Sequence, residues 1–111
     1  MGQSLNRVEL KGNVGFDPHI NTFEEGDKMM RFSLATNETY KNRRGEFVEE
    51  TVWHNVVAWA GKSIPEFETI KKGDYLYVTG RIRPIQYQTK DGKEKNGYEV
   101  VAFSIKPGEN N

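Results

Sequence analysis

Two tryptophans on one segment are the residues of this sequence best suited to hold a ligand. The stretch from Thr51 to Trp59 reads TVWHNVVAW, and its alternation places Trp53 and Trp59 on one face and His54 on the other. The indoles are six residues apart, roughly 20 Å along a strand at ~3.3 Å per residue. Two such rings can serve as platforms for flat ligands. The alternative is that both pack into a core, as most strand aromatics do.

Positive charge lies close to further aromatic residues, although the chain as a whole is balanced. Sixteen Lys and Arg residues match sixteen Asp and Glu residues, so the net charge gives no global positive field. Basic residues nevertheless cluster beside Tyr40 and Tyr87. The three clusters are Lys41, Arg43 and Arg44; Arg81 and Arg83; and Lys90, Lys93 and Lys95.

Catalysis and metal binding have little support in the residue pattern. His19 is expected in a loop beside Asp17, and His54 has core-facing parity between two valines. The Gly61-Lys62-Ser63 sequence lacks the upstream glycine spacing of a phosphate-binding loop. We therefore expect no enzymatic activity, no cofactor and no metal site.

Length and composition predict one small intracellular domain. A chain of 111 residues can bury one modest core, and the absence of cysteine removes disulfides and thiolate metal sites. No signal peptide is recognisable, and no apolar run approaches the ~20 residues that span a bilayer. We expect a soluble, cytoplasmic protein without a membrane partner.

Hydrophobic alternation predicts five strands, two of which end in polar hairpin arms. The hairpin tips are expected near Gly45 and at Lys90–Lys93, with Pro84 breaking or kinking the strand that leads to the second tip. The first arm would carry Tyr40 and the second Tyr87. The predicted strands are Leu5–Val14, Met29 to about Tyr40, Phe47–Trp59, Asp74 to about Arg83, and Tyr98–Ile105.

One short helix is predicted between the third and fourth strands, at residues 61–73. Ser63 and Glu66 have capping-box spacing, Pro65 suits a first helical turn, and Gly73 can end the helix. Phe67 and Ile70 would supply an apolar stripe.

The resulting order of three strands, one helix and two strands favours an all-β fold. A five-stranded, partly closed Greek-key barrel of the oligonucleotide-binding (OB) type, with extended hairpin arms, fits this order. A small sandwich is the alternative. We assign residues 1–106 to the barrel domain and residues 107–111 to a short polar end without an acidic tail.

Aromatic rings beside cations favour binding to single-stranded nucleic acid. Stacking contributes roughly 1–3 kcal/mol per base with little base preference, and nearby cations neutralise phosphates. The predicted stacking residues are Tyr40, Trp53, Trp59 and Tyr87. The predicted phosphate neighbours are Arg31, Lys41, Arg43, Arg44, Arg81, Arg83, Lys90 and Lys93.

Several segments, in order and spacing, resemble the bacterial single-stranded DNA-binding proteins that coat DNA during replication, recombination and repair. The resemblance covers nearly the whole chain. It is carried by Asn6-Arg7-Val8, Gly12-Asn13-Val14-Gly15, Asp17-Pro18, the segments Phe32–Tyr40 and Thr51–Val57, Lys72-Gly73, and Tyr77–Arg83.

The resemblance implies the same four stacking aromatics and a nucleoid-associated homotetramer. His54 matches a histidine that supports subunit association, and dimers pairing their first strands would bring Val8 and Leu10 into the interface. Relatives usually continue into a flexible linker and an acidic tip, whereas this sequence ends at Asn111. Recruitment of replication and repair proteins through a tail is therefore not expected. Pro84, Ile85 and Gln86 stand where relatives often carry more basic residues, which predicts weaker backbone contacts there.

Three other functions compete with this interpretation. An auxiliary or primosomal homologue would use the barrel as a protein-interaction module with weak DNA binding. A nucleic-acid enzyme would need residues for metal-dependent cleavage, which the sequence does not supply. Single-stranded RNA is a further candidate ligand, because no residue here decisively reads a 2′-hydroxyl.

Overall fold

Strands make up most of the computed structural model, which describes residues 2–109. Met1 and the last two residues of the predicted polar end, Asn110 and Asn111, lie outside the described residues. The strands are β1 (Val8–Val14), β2 (His19–Thr22), β3 (Lys28–Lys41), β4 (Phe47–Trp59), β5 (Tyr75–Gln88) and β6 (Glu94–Pro107), and a 3₁₀ turn covers Phe67–Thr69.

The sheet closes into a five-stranded barrel. Its strand order is β1-β5-β6-β4-β3-β2, and β1 also pairs with β3 through Asn13–Ala35 and Val14–Leu34. The strands pair antiparallel except β4 and β6, which run parallel. The predicted five-stranded barrel is therefore confirmed, and the sandwich is not formed.

The core consists of the inward-facing residues of the alternating strands. Met30, Phe32 and Leu34 of β3 are almost completely buried, as their alternation predicts. The other strands contribute Val14, Val56, Ala58, Leu76, Val78, Val100, Ala102 and Ile105. One face of β3 and β4 is thereby anchored in the barrel, which fixes the orientation of the opposite, outer face.

Two glycines permit the strands to approach closely enough for closure. A Cβ atom on Gly12 would collide with the carbonyl oxygen of Ala35 on β3. A Cβ on Gly80 would collide with the carbonyl oxygen of Val101, where the register between β5 and β6 shifts. Gly12 is therefore a site of close backbone contact between β1 and β3.

The helix predicted at residues 61–73 is wrong, since only Phe67–Thr69 form a 3₁₀ turn. Glu66 has an extended conformation (φ −54°, ψ 129°), so helical structure cannot begin at Ser63. The carbonyl of Ser63 instead accepts a hydrogen bond from the N–H of Ile105. Phe67 is buried in the core, and this tertiary contact overrides the local helix signal.

The prediction of a loop around His19 is also wrong. His19 begins the four-residue strand β2, which pairs antiparallel with β3 and places His19 opposite Arg31. All four residues of β2 are exposed, so the core-facing alternation that marks a half-buried strand is absent from its sequence.

Both hairpin arms are continuous two-stranded ladders, and Pro84 does not break the second. We define the first arm as residues 37–51 and the second as residues 84–98. Pro84 pairs with Tyr98, and the ladder continues to Gln88. Because β1 pairs only with residues 75–80 of β5, Pro84 lies where β5 has a free edge and needs no N–H on that side.

Each arm ends in a turn that requires glycine. Gly45 and Gly92 have φ values of 80° and 81°, a region that non-glycine residues seldom occupy. Their N–H groups donate to the carbonyls of Asn42 and Thr89, respectively. The tips predicted at these two glycines are therefore hairpin turns.

Candidate nucleic-acid interface

Trp53 and Trp59 lie on the outer face of the sheet, as the alternation of β4 predicts. In the β3–β4 ladder Trp53 is opposite Ala35 and Trp59 is opposite Met29, and opposite residues share a face. The two tryptophans are 60% and 44% exposed. They are not core residues, so this part of the outer face, which we call the wall, offers two aromatic surfaces.

The ring of Trp53 lies against a glycine. A Cβ atom on Gly15 would overlap the six-membered ring of Trp53 and the hydroxyl of Ser33. The N–H of Gly15 donates to the carbonyl of Ser33 at 2.9 Å, which fixes the backbone beneath the ring. Trp53 is thus supported on one side while it remains exposed to solvent.

Trp59 is supported by a second aromatic ring. Phe23 stacks on it with ring centroids 5.5 Å apart and an interplanar angle of 27°. Phe23 follows β2 and lies in the turn before β3, where its N–H donates to the backbone carbonyl of Asp27. Sequence reasoning missed Phe23 because it missed β2, the strand that brings this residue next to β4.

The two tyrosines predicted to stack on bases lie on the arms. Tyr40 is opposite Val48, which puts it on the other face of the β3–β4 ladder from Trp53. Tyr87 contacts Gly97 of the facing strand, where an added Cβ would lie 3.2 Å from the tyrosine ring. Both side chains are half exposed. The structure therefore brings the two tryptophans onto one face and leaves the tyrosines on separate ribbons.

Two of the predicted phosphate neighbours bind a buried carboxylate. Glu99 on β6 is 2% exposed, and its Oε2 accepts from Arg31 Nη1 at 2.9 Å. Its Oε1 accepts from Arg83 Nε at 3.0 Å and also from Arg83 Nη2. Both arginines remain about half exposed. The group carries a net charge of about +1 at neutral pH, and each guanidinium keeps further N–H donors.

The two arginines keep Glu99 ionised despite its burial. Removal from water alone would raise the pKa of this carboxyl, but the hydrogen bonds from Arg83 and Arg31 outweigh burial and hold the pKa below its ordinary value. Sequence reasoning missed Glu99 because a single acid on a strand gives no signal that arginines from two other strands will enclose it.

The other predicted phosphate neighbours are exposed, and most belong to the arms. Within residues 2–109 the ion pairs are Arg7–Glu9 and the two that Glu99 makes, so these side chains form none there. They are Lys41, Arg43, Arg44, Arg81, Lys90 and Lys93. Their ammonium and guanidinium groups are accessible to an anionic ligand.

The predicted oligomer residues line one apolar groove of about 320 Å³. Val8, Leu10 and His54 lie there together with Ile82 and Tyr98, which sequence reasoning did not assign to an interface. Trp53 and Glu99 border the same groove. Tyr98 is 70% exposed. The structure thus brings the three predicted residues together, and the two additional residues extend the apolar surface around them.

The ring of His54 is partly buried and hydrogen-bonded. Its Nε2 lies 2.9 Å from the hydroxyl of Thr36. Burial lowers the pKa of His54, against a smaller opposing effect of Glu38. The neutral imidazole is therefore favoured at this position.

Within residues 2–109, no group of three acidic or histidine side chains could hold a metal ion. No helix in that part of the chain has the length and apolar character needed to cross a membrane.

Comparison with known proteins identifies the family. Residues 5–107 match the model of the single-strand binding protein family. The chain belongs to this family. The family resemblance found in the sequence is therefore confirmed over nearly the whole chain.

Family members from several bacteria are similar in sequence. A single-stranded DNA-binding protein of Neisseria meningitidis is 40% identical over 103 residues, covering 93% of this chain and 59% of that protein. One from Rickettsia felis is 43% identical over 103 residues, covering 91% of this chain and 68% of the relative. The chain thus spans about three-fifths of the Neisseria protein.

Solved structures of the same family share the barrel. A Plasmodium falciparum SSB in complex with ssDNA has a TM-score of 0.82 at 31% identity, covering 94% of this chain and 91% of the other. A deletion mutant of the single-stranded DNA binding protein from Thermus aquaticus has a TM-score of 0.76 at 25% identity, covering 95% and 51%.

Proposed function

We propose that this chain binds single-stranded DNA, with bases stacked on Trp53 and Trp59 and phosphates beside Arg31 and Arg83. The observation that carries the proposal is the pair of supported, exposed indoles on one face of a barrel in this family. Relatives at 40% and 43% identity bear the name single-stranded DNA-binding protein. The Plasmodium protein, which has the same barrel, was solved in complex with ssDNA.

Stacking would provide affinity without reading sequence. Each base stacked on an aromatic contributes roughly 1–3 kcal/mol, and every base has a flat face. Trp53 and Trp59 each have one side supported by the protein, which leaves the opposite side for a base. Tyr40 and Tyr87 would take further bases on the arms.

Two sets of cations would contact the phosphates of the bound strand. On the wall, Glu99 orients Arg31 and Arg83, so their remaining N–H donors are held in place. On the arms, exposed lysines and arginines can adjust to the backbone of the strand. Because several of these contacts are electrostatic, we expect affinity to fall with salt, whereas stacking persists.

The proposed assembly is a homotetramer built as a dimer of dimers. The apolar groove formed by Val8, Leu10, His54, Ile82 and Tyr98 supports this, since exposed apolar surface of this kind suits association with a second copy. DNA would then cross several subunits. We infer roles in replication, recombination and repair by binding alone, in association with the nucleoid.

A tryptophan fluorescence titration with a long oligo-dT tests the proposal. It would be performed at low and high salt, with the mass determined by light scattering in the same buffer. We expect strong quenching that persists at high salt, on a tetramer. A folded sample that shows no quenching would overturn the proposal and favour a protein-interaction module, and competition between matched DNA and RNA oligomers would identify the preferred nucleic acid.

A further inference from the structure

Phe47 is an exposed aromatic that shares a face with the two tryptophans. It begins β4 and lies opposite Lys41 in the last pair of the β3–β4 ladder. The ladder runs without a register shift from this pair to the one that contains Trp59. Positions 47, 53 and 59 therefore lie on the same face of one strand. Phe47 is 76% exposed.

The spacing continues the pattern of the wall. Phe47 precedes Trp53 by six residues, as Trp53 precedes Trp59, and each interval is roughly 20 Å along the strand. Single exposed apolar residues are common on protein surfaces, so exposure alone carries no inference. The shared face and the equal spacing are the features that connect Phe47 with the ligand surface.

A cation is held at the ring of Phe47. The ammonium nitrogen of Lys41 lies 5.6 Å from the ring centroid, within the range of a cation–π interaction. Arg43 and Arg44 lie in the adjoining turn. The tip thus combines a flat apolar surface with positive charge, which is the combination that a base and its phosphate require. Glu49, on the same face between Phe47 and Trp53, separates the tip from the wall.

We propose that Phe47 is a third base-stacking site on this face, so that a bound single strand runs along β4 from Trp59 past Trp53 to the tip of the first arm. Lys41 then neutralises a phosphate beside the base on Phe47. This inference rests on the proposed function, because it extends the same ligand beyond the wall. It assigns to the ligand the face of the first arm that carries Phe47.

Fluorescently labelled dT oligomers of increasing length test the inference by anisotropy. We expect Phe47→Ala to bind a long oligomer about fivefold or more weakly than wild type, since stacking contributes roughly 1–3 kcal/mol and 1.4 kcal/mol is tenfold. Oligomers too short to reach from Trp59 beyond Trp53 should bind both proteins equally. Phe47→Tyr keeps a ring that can stack and should restore binding of the long oligomer.

A matched control comes from the exposed aromatic Phe103, which is 52% exposed on β6, away from the arms. Phe103→Ala removes a ring of the same type outside the first arm, so any change that it causes should be the same for short and long oligomers. Equal weakening by Phe47→Ala and Phe103→Ala would overturn the assignment, as would unchanged binding by Phe47→Ala. Failure of the wild type to bind any oligomer would instead refute the proposed function itself.

A second measurement uses the wild-type protein and so does not depend on the folding of a variant. A dT oligomer containing 5-iodouracil would be irradiated in the complex, and the cross-linked peptides identified by mass spectrometry. We expect cross-links at Phe47 as well as at Trp53. Cross-links at Trp53 without any at the tip of the first arm would contradict the inference while leaving the proposed function intact.

Discussion

The wall and the arms carry similar residues but hold them differently. On the wall, Trp53 lies against Gly15, Trp59 stacks on Phe23, and two arginines are fixed by Glu99. On the arms, the aromatic rings and cations project from two-stranded ladders and are exposed. The same chemistry is therefore presented once on a rigid surface and once on extended ribbons.

The difference separates two contributions to binding. Groups that are already fixed lose little conformational freedom when a ligand binds, whereas each immobilised flexible side chain costs about 0.5–1.5 kcal/mol. The wall should therefore provide most of the affinity per residue. The arms should contribute less per residue and adapt to the path of the strand.

The largest effect is expected from the wall aromatic Trp53. Trp53→Ala should weaken binding of oligo-dT by about 2–3 kcal/mol, because a supported stacking surface is lost. Trp53→Phe, which retains a ring, should lose less. The measurement is fluorescence anisotropy with a labelled oligomer. An affinity unchanged by Trp53→Ala would show that the wall does not bind the oligomer through Trp53.

The next effect concerns the carboxylate that orients the wall arginines. Glu99→Gln should reduce the free energy of unfolding in urea by about 1–2 kcal/mol, since charge-assisted hydrogen bonds are lost and the exposed side of each arginine is screened by water. It should also weaken oligo-dT binding, because Arg31 and Arg83 lose the carboxylate that holds them in place. Tighter binding by a folded variant would mean that removal of a negative charge outweighs the loss of arginine orientation, and would contradict the distinction between wall and arms.

The same carboxylate predicts how stability depends on pH. The pKa of Glu99 is lower in the folded chain than its ordinary value of 4.5, so its contribution is complete above pH 4.5 and is lost as the pH falls through the folded pKa. Urea unfolding at a series of acidic pH values measures this. Glu99→Gln should flatten that part of the profile, and an unchanged profile would contradict the prediction.

The arm aromatics should contribute less than Trp53. Tyr87→Ala and Tyr40→Ala are each expected to weaken oligo-dT binding by about 1 kcal/mol, at the lower end of the stacking range. Phenylalanine at either position retains the ring and serves as the control. Losses as large as that of Trp53→Ala would contradict the distinction between wall and arms.

The smallest effect is expected from the arm cations. Lys90→Ala and Lys93→Ala should change affinity by less than about 1 kcal/mol at moderate salt, as is typical of exposed charges. Each should reduce the salt dependence, since the slope of log K against log salt changes by about 0.7 per phosphate contact on a single strand. An unchanged slope would exclude these lysines from contact with the backbone.

The sequence predicted the barrel and the outward direction of the tryptophans because both depend on strand alternation. Alternation is a property of each strand, and it identifies which residues leave the core. It also placed His54 on the strand face opposite Trp53. In the structure His54 lines a groove with Val8 and Leu10, and Trp53 borders the same groove. Their role in subunit association stays a prediction, as does the stacking role of the four aromatics.

What the sequence could not predict are contacts between distant segments. Phe23 meets Trp59, and Glu99 meets two arginines, only because the barrel brings separate strands together. The helix prediction failed for the same reason, since tertiary contacts of Ser63 and Phe67 override a local capping signal. The relative orientation of Tyr40 and Trp53 depends on the register of the β3–β4 ladder, which local patterns do not determine.

The barrel closes through a short seam directly beneath Trp53. β1 and β3 pair at two positions, and Gly15, on which Trp53 rests, immediately follows them. A seam of this size is where local opening of the native state costs least. A ligand that requires Trp53 in place stabilises the closed seam through linkage. Amide hydrogens of Val14 and Gly15 should consequently exchange more slowly in the complex. Their exchange rates would then show whether a ligand is bound on the outer face.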